Sequence, residues 1–201
     1  MAAFSIIKSR FFDHLLEKNP DSLGNFQRWR FHPGMLFNSW EQWWGEPGRR
    51  PSAHEGIDLC FFEDEAGQIN FLGGTVRVPA TFAGTVVKLD RDFLGQSIYL
   101  RHAIFSEDGA QLLTAYGHTR LVEGLAVGRQ VAEGEIIASI APVSARKNGM
   151  RAHLHLTMAW APVLLPLDRL TWENLGRDGG IRLIDPLAAL APPVGHENPE
   201  N

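Results

Sequence analysis

The spacing of apolar positions predicts one helix near the start of the chain. Over residues 4–18 apolar side chains recur at the period of an amphipathic helix, and Asn19-Pro20 is expected to end it. The apolar residues of that face are Phe4, Ile7, Phe11, Leu15 and Leu16. The helical period stops after this segment, so the helix is short.

Residues 21–53 follow no regular period and are rich in tryptophan. We expect an irregular segment there. The tryptophans are Trp29, Trp40, Trp43 and Trp44. They either pack this segment onto the core or line a groove, and we favour core packing.

From residue 56 to about 160 the pattern changes to short runs of strand-forming residues separated by glycine turns. The runs are "GIDLCFF", "TVRVPA", "GTVVKLD", "SIYLRHA", "LLTAYGH", "QVAEGEIIASI" and "AHLHLTMAW". This pattern predicts an all-β domain of mainly antiparallel strands, a sandwich or an open barrel. A loop-rich region over 161–180 follows, and "IRLIDPLAAL" is expected to add a strand and a short turn.

These patterns predict three parts of the chain. Residues 1–50 form the helix and an aromatic, loop-rich segment packed on the core, residues 51–190 form the β domain, and residues 191–201 form a disordered tail. The chain has 201 residues, of which 44% are hydrophobic, and this is enough for one sizeable core. We expect a monomer.

Charge and composition exclude several classes of partner. The net charge is −4 and no basic block is present, so nucleic acid is not an expected partner. No apolar run is long enough for a transmembrane segment. The first 20 residues lack the pattern of a secretory signal, because Lys8, Arg10 and Asp13 interrupt a short apolar run. On sequence alone we therefore expect a cytoplasmic location, unless a leader is missing.

The stretch "HEGID" places His54 and Asp58 four residues apart. Gly56 and the strand-forming residues that follow argue against a helix here, so the pair is expected where a loop enters a strand. Such a pair is either a salt-linked surface pair or two ligands of a metal.

The stretch "RAHLHLTM" places His153 and His155 on the same face of a predicted strand, with Leu154 and Leu156 on the other face. Two imidazoles on an apolar strand either face solvent or bind something, and a metal is the usual reason. One of them would complete a His-Asp-His set with the "HEGID" pair, which suits zinc. His102, alone on its strand, is expected to be structural.

Three motifs in this order resemble the lysostaphin/LytM-type zinc metallopeptidases, which cut peptides of bacterial cell walls. The motifs are "HEGID", then "YGH", then "HLH". Flanking stretches are also similar to that family: "RFHP", "VPATFAGTVV", "LVEGLAVGRQVAEGEIIASI" and "IDPLAAL". The similarity covers roughly residues 30–190. It implies the lysostaphin-type all-β fold with its duplicated hybrid motif, and it implies a location in the cell envelope.

The resemblance also implies a role for each residue of the site. His54, Asp58 and His155 would bind one zinc ion per chain, whereas His32 would not be a ligand. His118 and His153 would be the catalytic pair, one taking a proton from water and the other stabilising the oxyanion. These roles would make the protein a zinc metalloendopeptidase that hydrolyses peptide bonds of peptidoglycan cross-links.

Tyr116 and Cys60 lie close in sequence to the candidate site residues. Tyr116 belongs to a "Tyr-x-His" piece, so it is a candidate for substrate binding, the alternative being a strand tyrosine whose hydroxyl faces solvent. Cys60, the single cysteine, is interpreted as a small buried apolar residue.

The chain departs from the family pattern before and after "HLH". A loop with basic Arg146, Lys147 and Arg151 stands where relatives carry a loop rich in glycine and threonine, and Thr157-Met158 replaces the usual phenylalanine and glutamate. These departures leave the substrate open.

Three other functions compete with a wall peptidase. A zinc hydrolase of a non-wall peptide or small substrate is the main alternative. A peptidase-like binding or regulatory protein is another, although such relatives normally lose the ligands. A biotinyl or lipoyl carrier would explain the glycine hairpins, but neither Lys88 nor Lys147 has the required setting.

Overall fold

Two short helices open the part of the chain that the structure describes. The structure is a computed structural model that describes residues 9–143, 149–177 and 179–190. Helix α1 spans Phe11–Glu17 and α2 spans Pro20–Leu23. The helix predicted over 4–18 is therefore shorter, because the Ser9 hydroxyl accepts the Phe11 N–H just before the first turn. Residues 4–8 lie outside the described residues.

Twelve strands follow in the described ranges. In chain order they are β1 (Phe26–Arg30), β2 (Ile57–Leu59), β3 (Phe61–Asp64), β4 (Ile69–Phe71), β5 (Arg77–Pro79), β6 (Gly84–Arg91), β7 (Gln96–Phe105), β8 (Gln111–Leu121), β9 (Gln130–Val131), β10 (Ile136–Ile140), β11 (Leu154–Ala161) and β12 (Arg182–Ile184). Two more short helices, α3 (Trp172–Leu175) and α4 (Pro186–Ala189), lie near the end. Single turns of 3₁₀ helix occur at Pro33–Met35 and Leu167–Arg169.

All strand pairs among the described residues are antiparallel, which confirms the predicted fold class. In the described part of the chain, the larger sheet has nine strands, with the order β12-β11-β8-β7-β6-β9 along its main path. Strand β2 adds to β11, and β10 links β8 to β5. A second sheet has the order β1-β3-β4.

The chain changes sheets where the sequence predicted one continuous strand. The stretch "GIDLCFF" divides at Cys60, because β2 pairs with β11 whereas β3 pairs with β1 and β4. The prediction of an irregular segment over 21–53 was wrong at β1, which the sequence analysis missed. Strand β1 also carries Arg28 and Arg30, and both donate to Glu63 on β3.

The two faces of the larger sheet differ. On β11, Leu154 and Leu156 are fully buried in the main hydrophobic core, together with Tyr116 of β8. The opposite face carries a smaller apolar cluster, including Ala115 and Ala159, which is covered by the segment around α3. The predicted alternation on β11 is thus confirmed, and the histidines lie at one end of the second face.

No helix in the described ranges is both long and apolar enough to span a membrane.

His102 on β7 is a structural histidine, as the sequence analysis expected. Its side chain is completely buried, with Nδ1 donating to the Ala83 carbonyl at 3.0 Å and Nε2 2.9 Å from Thr114 Oγ1. Burial lowers the pKa of His102 from 6.5 to about 4. The folded chain therefore keeps this histidine neutral at pH values where the unfolded chain protonates it.

This difference predicts acid destabilisation that is independent of any metal. Between pH 6.5 and pH 4 the unfolded state binds the extra proton, so stability is lost as pH falls through that window, by about 3 kcal/mol in total for this group. Urea unfolding of the zinc-free protein at pH 7 and pH 4 measures this loss of unfolding free energy. In His102→Gln the loss between the two pH values should be smaller by about 3 kcal/mol. An unchanged loss would show that His102 is not its cause.

Candidate metal centre and active site

The structure brings His54, Asp58 and His155 together in the interior. Asp58 on β2 lies directly opposite His155 on β11 in the strand register. Asp58 Oδ1 is 2.9 Å from His155 Nδ1 and 3.3 Å from His54 Nε2, and the two ring nitrogens are 3.2 Å apart. One ligand atom from each residue lies within 4.8 Å of the others, and all three residues are buried.

Gly56 explains how the loop carrying His54 comes so close to β11. A Cβ atom at this position would lie 2.2 Å from the Leu156 carbonyl oxygen and 2.8 Å from Thr157 Oγ1. Because only glycine fits such a contact without moving backbone, the glycine inside "HEGID" allows the segments that carry His54 and His155 to meet.

In His54 and His155, the ring nitrogen that points away from Asp58 has a hydrogen-bond partner that fixes the orientation of the ring. His54 Nδ1 donates to the Leu36 carbonyl at 3.0 Å, and His155 Nε2 lies 2.9 Å from Thr157 Oγ1. The inner nitrogens are thereby directed toward Asp58, as metal-binding histidines require. Thr157, a departure from the family pattern, thus supplies a hydroxyl that holds the ring of His155.

The outer oxygen of Asp58 is also held. Asp58 Oδ2 accepts Trp43 Nε1–H at 2.6 Å and Arg50 Nη2–H at 3.0 Å, which leaves Oδ1 facing the two histidines. Burial alone would raise the pKa of Asp58, but His54 and the other histidines of the site hold it well below its usual range. The carboxylate is therefore ionised and ready to bind a cation.

The donor set fits zinc. Two imidazole nitrogens and one carboxylate oxygen match the three protein ligands of catalytic zinc sites, whereas calcium and magnesium require more oxygen ligands. Burial of all three side chains, with their outer atoms already hydrogen-bonded, leaves the inner atoms to share a single ion.

His118 and His153 lie beside this cluster. Their rings are 4.7 Å apart between centroids, and His153 Nε2 is 3.8 Å from Asp58 Oδ1. His153 Nδ1 donates to the Arg151 carbonyl at 2.8 Å, and burial lowers the pKa of His153 to about 4. His153 is therefore neutral near pH 7, with Nε2 as a hydrogen-bond acceptor.

A cavity of about 350 Å³ opens onto these side chains. Its lining consists of Trp44, Arg50, Glu55, Asp58, Asp92, Phe93, His118, Met150, His153, His155 and Trp172. Of the five predicted histidine and aspartate residues, four border this cavity: Asp58, His118, His153 and His155. The fifth, His54, is buried and does not line it. Residues 144–148, which include Arg146 and Lys147 of the basic loop before "HLH", lie outside the described residues.

Tyr116 lies elsewhere, and a bulge in β8 explains why. The register between β7 and β8 shifts between Gln96 and Ile98, and His118 adopts a left-handed backbone with φ 62°. This extra residue directs His118 to the cavity although Tyr116, two positions earlier, points into the core.

The structure thus gives Tyr116 a structural position in place of the predicted contact with substrate. Its side chain is fully buried, and its hydroxyl accepts the Thr81 N–H at 2.9 Å and lies 3.2 Å from Thr114 Oγ1. The alternative of a solvent-facing hydroxyl is wrong for the same reason.

His32 and Cys60, which were not expected to bind metal or to act in catalysis, have structural roles. His32 Nδ1 accepts the Gly34 N–H at 3.0 Å, so this histidine caps a 3₁₀ turn. Cys60 is buried, and burial raises the pKa of its thiol to about 12. Its interpretation as a small buried apolar residue is confirmed.

Sequence reasoning missed three residues of the site. Trp43 and Arg50 hold Asp58, and Asp92 hydrogen-bonds to His118. The tryptophans divide between the two expected roles, since Trp29 is buried in the core whereas Trp44 lines the cavity. No spacing along the sequence signals these contacts, because each joins a loop to a residue on another element.

Comparison with models of protein families identifies one family. The model of peptidase family M23 matches residues 53–163, which is more than half of the chain and includes every residue from His54 to His155. Comparison with curated proteins gives no match.

Solved structures similar to the chain share low sequence identity with it. They include cbpa from L. salivarius REN, with 18% identity over 81% of this chain and 88% of that chain and a TM-score of 0.46. Lysostaphin, an antimicrobial peptidase from Staphylococcus simulans, has 20% identity over 85% of this chain and 61% of its own, with a TM-score of 0.43. The family match, together with the motifs that it spans, leads to one conclusion: the chain belongs to peptidase family M23.

Proposed function

We propose that this protein is a zinc-dependent metalloendopeptidase that hydrolyses peptide bonds in bacterial peptidoglycan cross-links. The observation that carries the proposal is the buried cluster of His54, Asp58 and His155, with His118 and His153 beside it on one cavity. Membership of a peptidase family supports hydrolysis of peptide bonds. One zinc ion per chain would be held by the three clustered residues.

The chain's own residues then have distinct tasks. When bound, zinc supplies a Lewis acid that polarises a carbonyl group and makes water acidic enough to react near neutral pH. His118 is suited to take the proton from the attacking water, because Asp92 accepts a hydrogen bond from its Nδ1 and leaves Nε2 available. The same nitrogen can then deliver the proton to the departing amine.

His153 is suited to a different task from the one expected of a second catalytic histidine. Its Nδ1–H is committed to the Arg151 carbonyl, so the neutral ring offers Nε2 as an acceptor and has no proton free for an oxyanion. We therefore assign it to orient the attacking water or a substrate N–H group.

The cavity wall supports a peptide as substrate. Aromatic side chains of Trp44, Phe93 and Trp172 line the space around the catalytic groups, and the charged Arg50 and Glu55 lie among them. Aromatic side chains next to charged groups can contact both the apolar side chains and the polar backbone of a peptide chain. The motifs that resemble wall-cutting peptidases, "HEGID", "YGH" and "HLH", make bacterial wall peptides the first choice, which would place the activity in the cell envelope.

Digestion of purified peptidoglycan tests this proposal. Zinc-loaded protein is incubated with intact sacculi and with soluble cross-link peptides, and new amino termini are detected by mass spectrometry. We expect cleavage that is lost after chelation and restored by zinc. Cleavage of unrelated short peptides alone would favour the non-wall hydrolase, and failure to cleave any peptide would overturn the proposal.

A further inference from the structure

The ring and the backbone of His118 are both held by one carboxylate. Asp92 Oδ1 is 3.1 Å from His118 Nδ1, and Asp92 Oδ2 accepts the His118 backbone N–H at 2.8 Å. The Asp92 side chain is only 3% exposed. Because His118 has a left-handed backbone, the second hydrogen bond also helps to hold the bulge that turns its ring into the cavity.

Asp92 is itself held rigidly. Its Oδ1 accepts the backbone N–H groups of Leu94 at 2.9 Å and Gly95 at 2.7 Å, and its Oδ2 accepts the Ser97 hydroxyl at 2.8 Å. Ser97 in turn accepts Trp172 Nε1–H at 2.8 Å. A hydrogen-bonded chain therefore runs from the cavity wall through Ser97 and Asp92 to His118.

The charge of Asp92 is fixed by these contacts. Burial alone would raise the pKa of Asp92, but the hydrogen bonds from His118 and Ser97 hold it well below its usual range. An ionised carboxylate accepts hydrogen bonds and donates none. His118 must therefore carry its proton on Nδ1, and Nε2 is left with a lone pair.

We propose that Asp92 is the positioning residue of an Asp92–His118 pair, which fixes the tautomer and orientation of His118 for proton transfer. The proposal rests on the function proposed above. During hydrolysis, water gives its proton to Nε2 as its oxygen bonds to the carbonyl carbon. As the C–N bond breaks, the same proton passes to the leaving nitrogen. In between, the carboxylate stabilises the imidazolium, as it does in Ser-His-Asp triads.

The sharpest test is Asp92→Asn, which preserves size and removes the charge. Asparagine cannot accept all the hydrogen bonds that Asp92 accepts, and it does not stabilise an imidazolium. We expect kcat for peptide cleavage to fall about 100-fold, with zinc content and KM little changed. A merely structural role would not separate kcat from KM in this way.

Asp64→Asn is the matched control. Asp64 is also a buried carboxylate, at the end of β3. Its Oδ1 accepts the N–H groups of Ala66 and Gln68 and its Oδ2 accepts Asn70 Nδ2–H at 2.8 Å, but it contacts no histidine of the described residues. Its variant should lose comparable turn contacts and keep kcat. Equal losses of kcat in both variants would overturn the proposal.

Nitrogen NMR of the unaltered, zinc-loaded protein provides a readout that needs neither substrate nor variant. The ¹⁵N resonances of His118, assigned by their absence in His118→Gln, should show the proton on Nδ1 and a bare Nε2. A proton on Nε2 overturns the proposal even if the protein is an active peptidase. If no peptide is cleaved, the function proposed above fails, while the tautomer still decides the role of Asp92.

Discussion

Asp58→Ala is expected to abolish zinc binding and, with it, all peptidase activity. Asp58 Oδ1 is the atom that faces both His54 Nε2 and His155 Nδ1, so its removal takes away one of three ligands and the only negative charge in the set. Loss of an outer hydrogen-bond partner of a metal ligand costs 10- to 100-fold in affinity, so loss of the ligand itself should cost more than about 100-fold.

The variant also leaves Arg50 without its carboxylate partner beside the site. The Arg50 guanidinium donates to Asp58 Oδ2 at 3.0 Å, so its positive charge would further oppose a cation in the variant. Elemental analysis after dialysis against zinc measures the effect, and circular dichroism shows whether the fold is kept. Glu55→Gln is the control, since it removes a negative charge from the same cavity wall without touching the ligand set. Zinc retained by folded Asp58→Ala would exclude Asp58 as a ligand.

His118→Ala and His153→Ala are expected to keep zinc and lose turnover. Neither side chain belongs to the cluster of His54, Asp58 and His155, yet both border the cavity within reach of it. Positioned groups that move or orient protons contribute about 100- to 10,000-fold to rate, and each variant should lose kcat within that range.

Metal content and initial rates, measured on the same preparations, distinguish a metal-binding role from a catalytic role. His14→Ala is the matched control, because His14 lies on α1 and contacts Glu17 rather than the cavity. Full activity in His118→Ala would remove this residue from the mechanism, whereas loss of zinc in His153→Ala would make His153 a ligand.

The sequence carries the parts of the site that depend on local geometry. Strand alternation places His153 and His155 together on one face of β11 and Leu154 and Leu156 on the other, and the structure agrees. The position of "HEGID" at the start of a strand also holds, because Asp58 lies in β2. These features require only the period of a strand, which a sequence displays directly.

The sequence did not predict features that depend on irregular backbone or on contacts between distant residues. Ordinary alternation would put Tyr116 and His118 on the same face, but the bulge in β8 separates them. Strand β1 was missed because "FQRWR" looks polar, and its two arginines are accommodated by Glu63, which is 33 or more residues away. Trp43 and Asp92 reach the site across loops, and no residue spacing reveals such contacts.

Zinc titration of the purified protein tests whether His54, Asp58 and His155 form a metal site. Metal is first removed with a chelator, zinc is added back, unbound metal is dialysed away, and zinc is counted per chain by elemental analysis. We expect about one tightly held zinc per chain, as the three-ligand set requires. A folded protein that retains none would contradict it and would leave the buried His54–Asp58–His155 cluster as a hydrogen-bonded scaffold of a binding or regulatory protein.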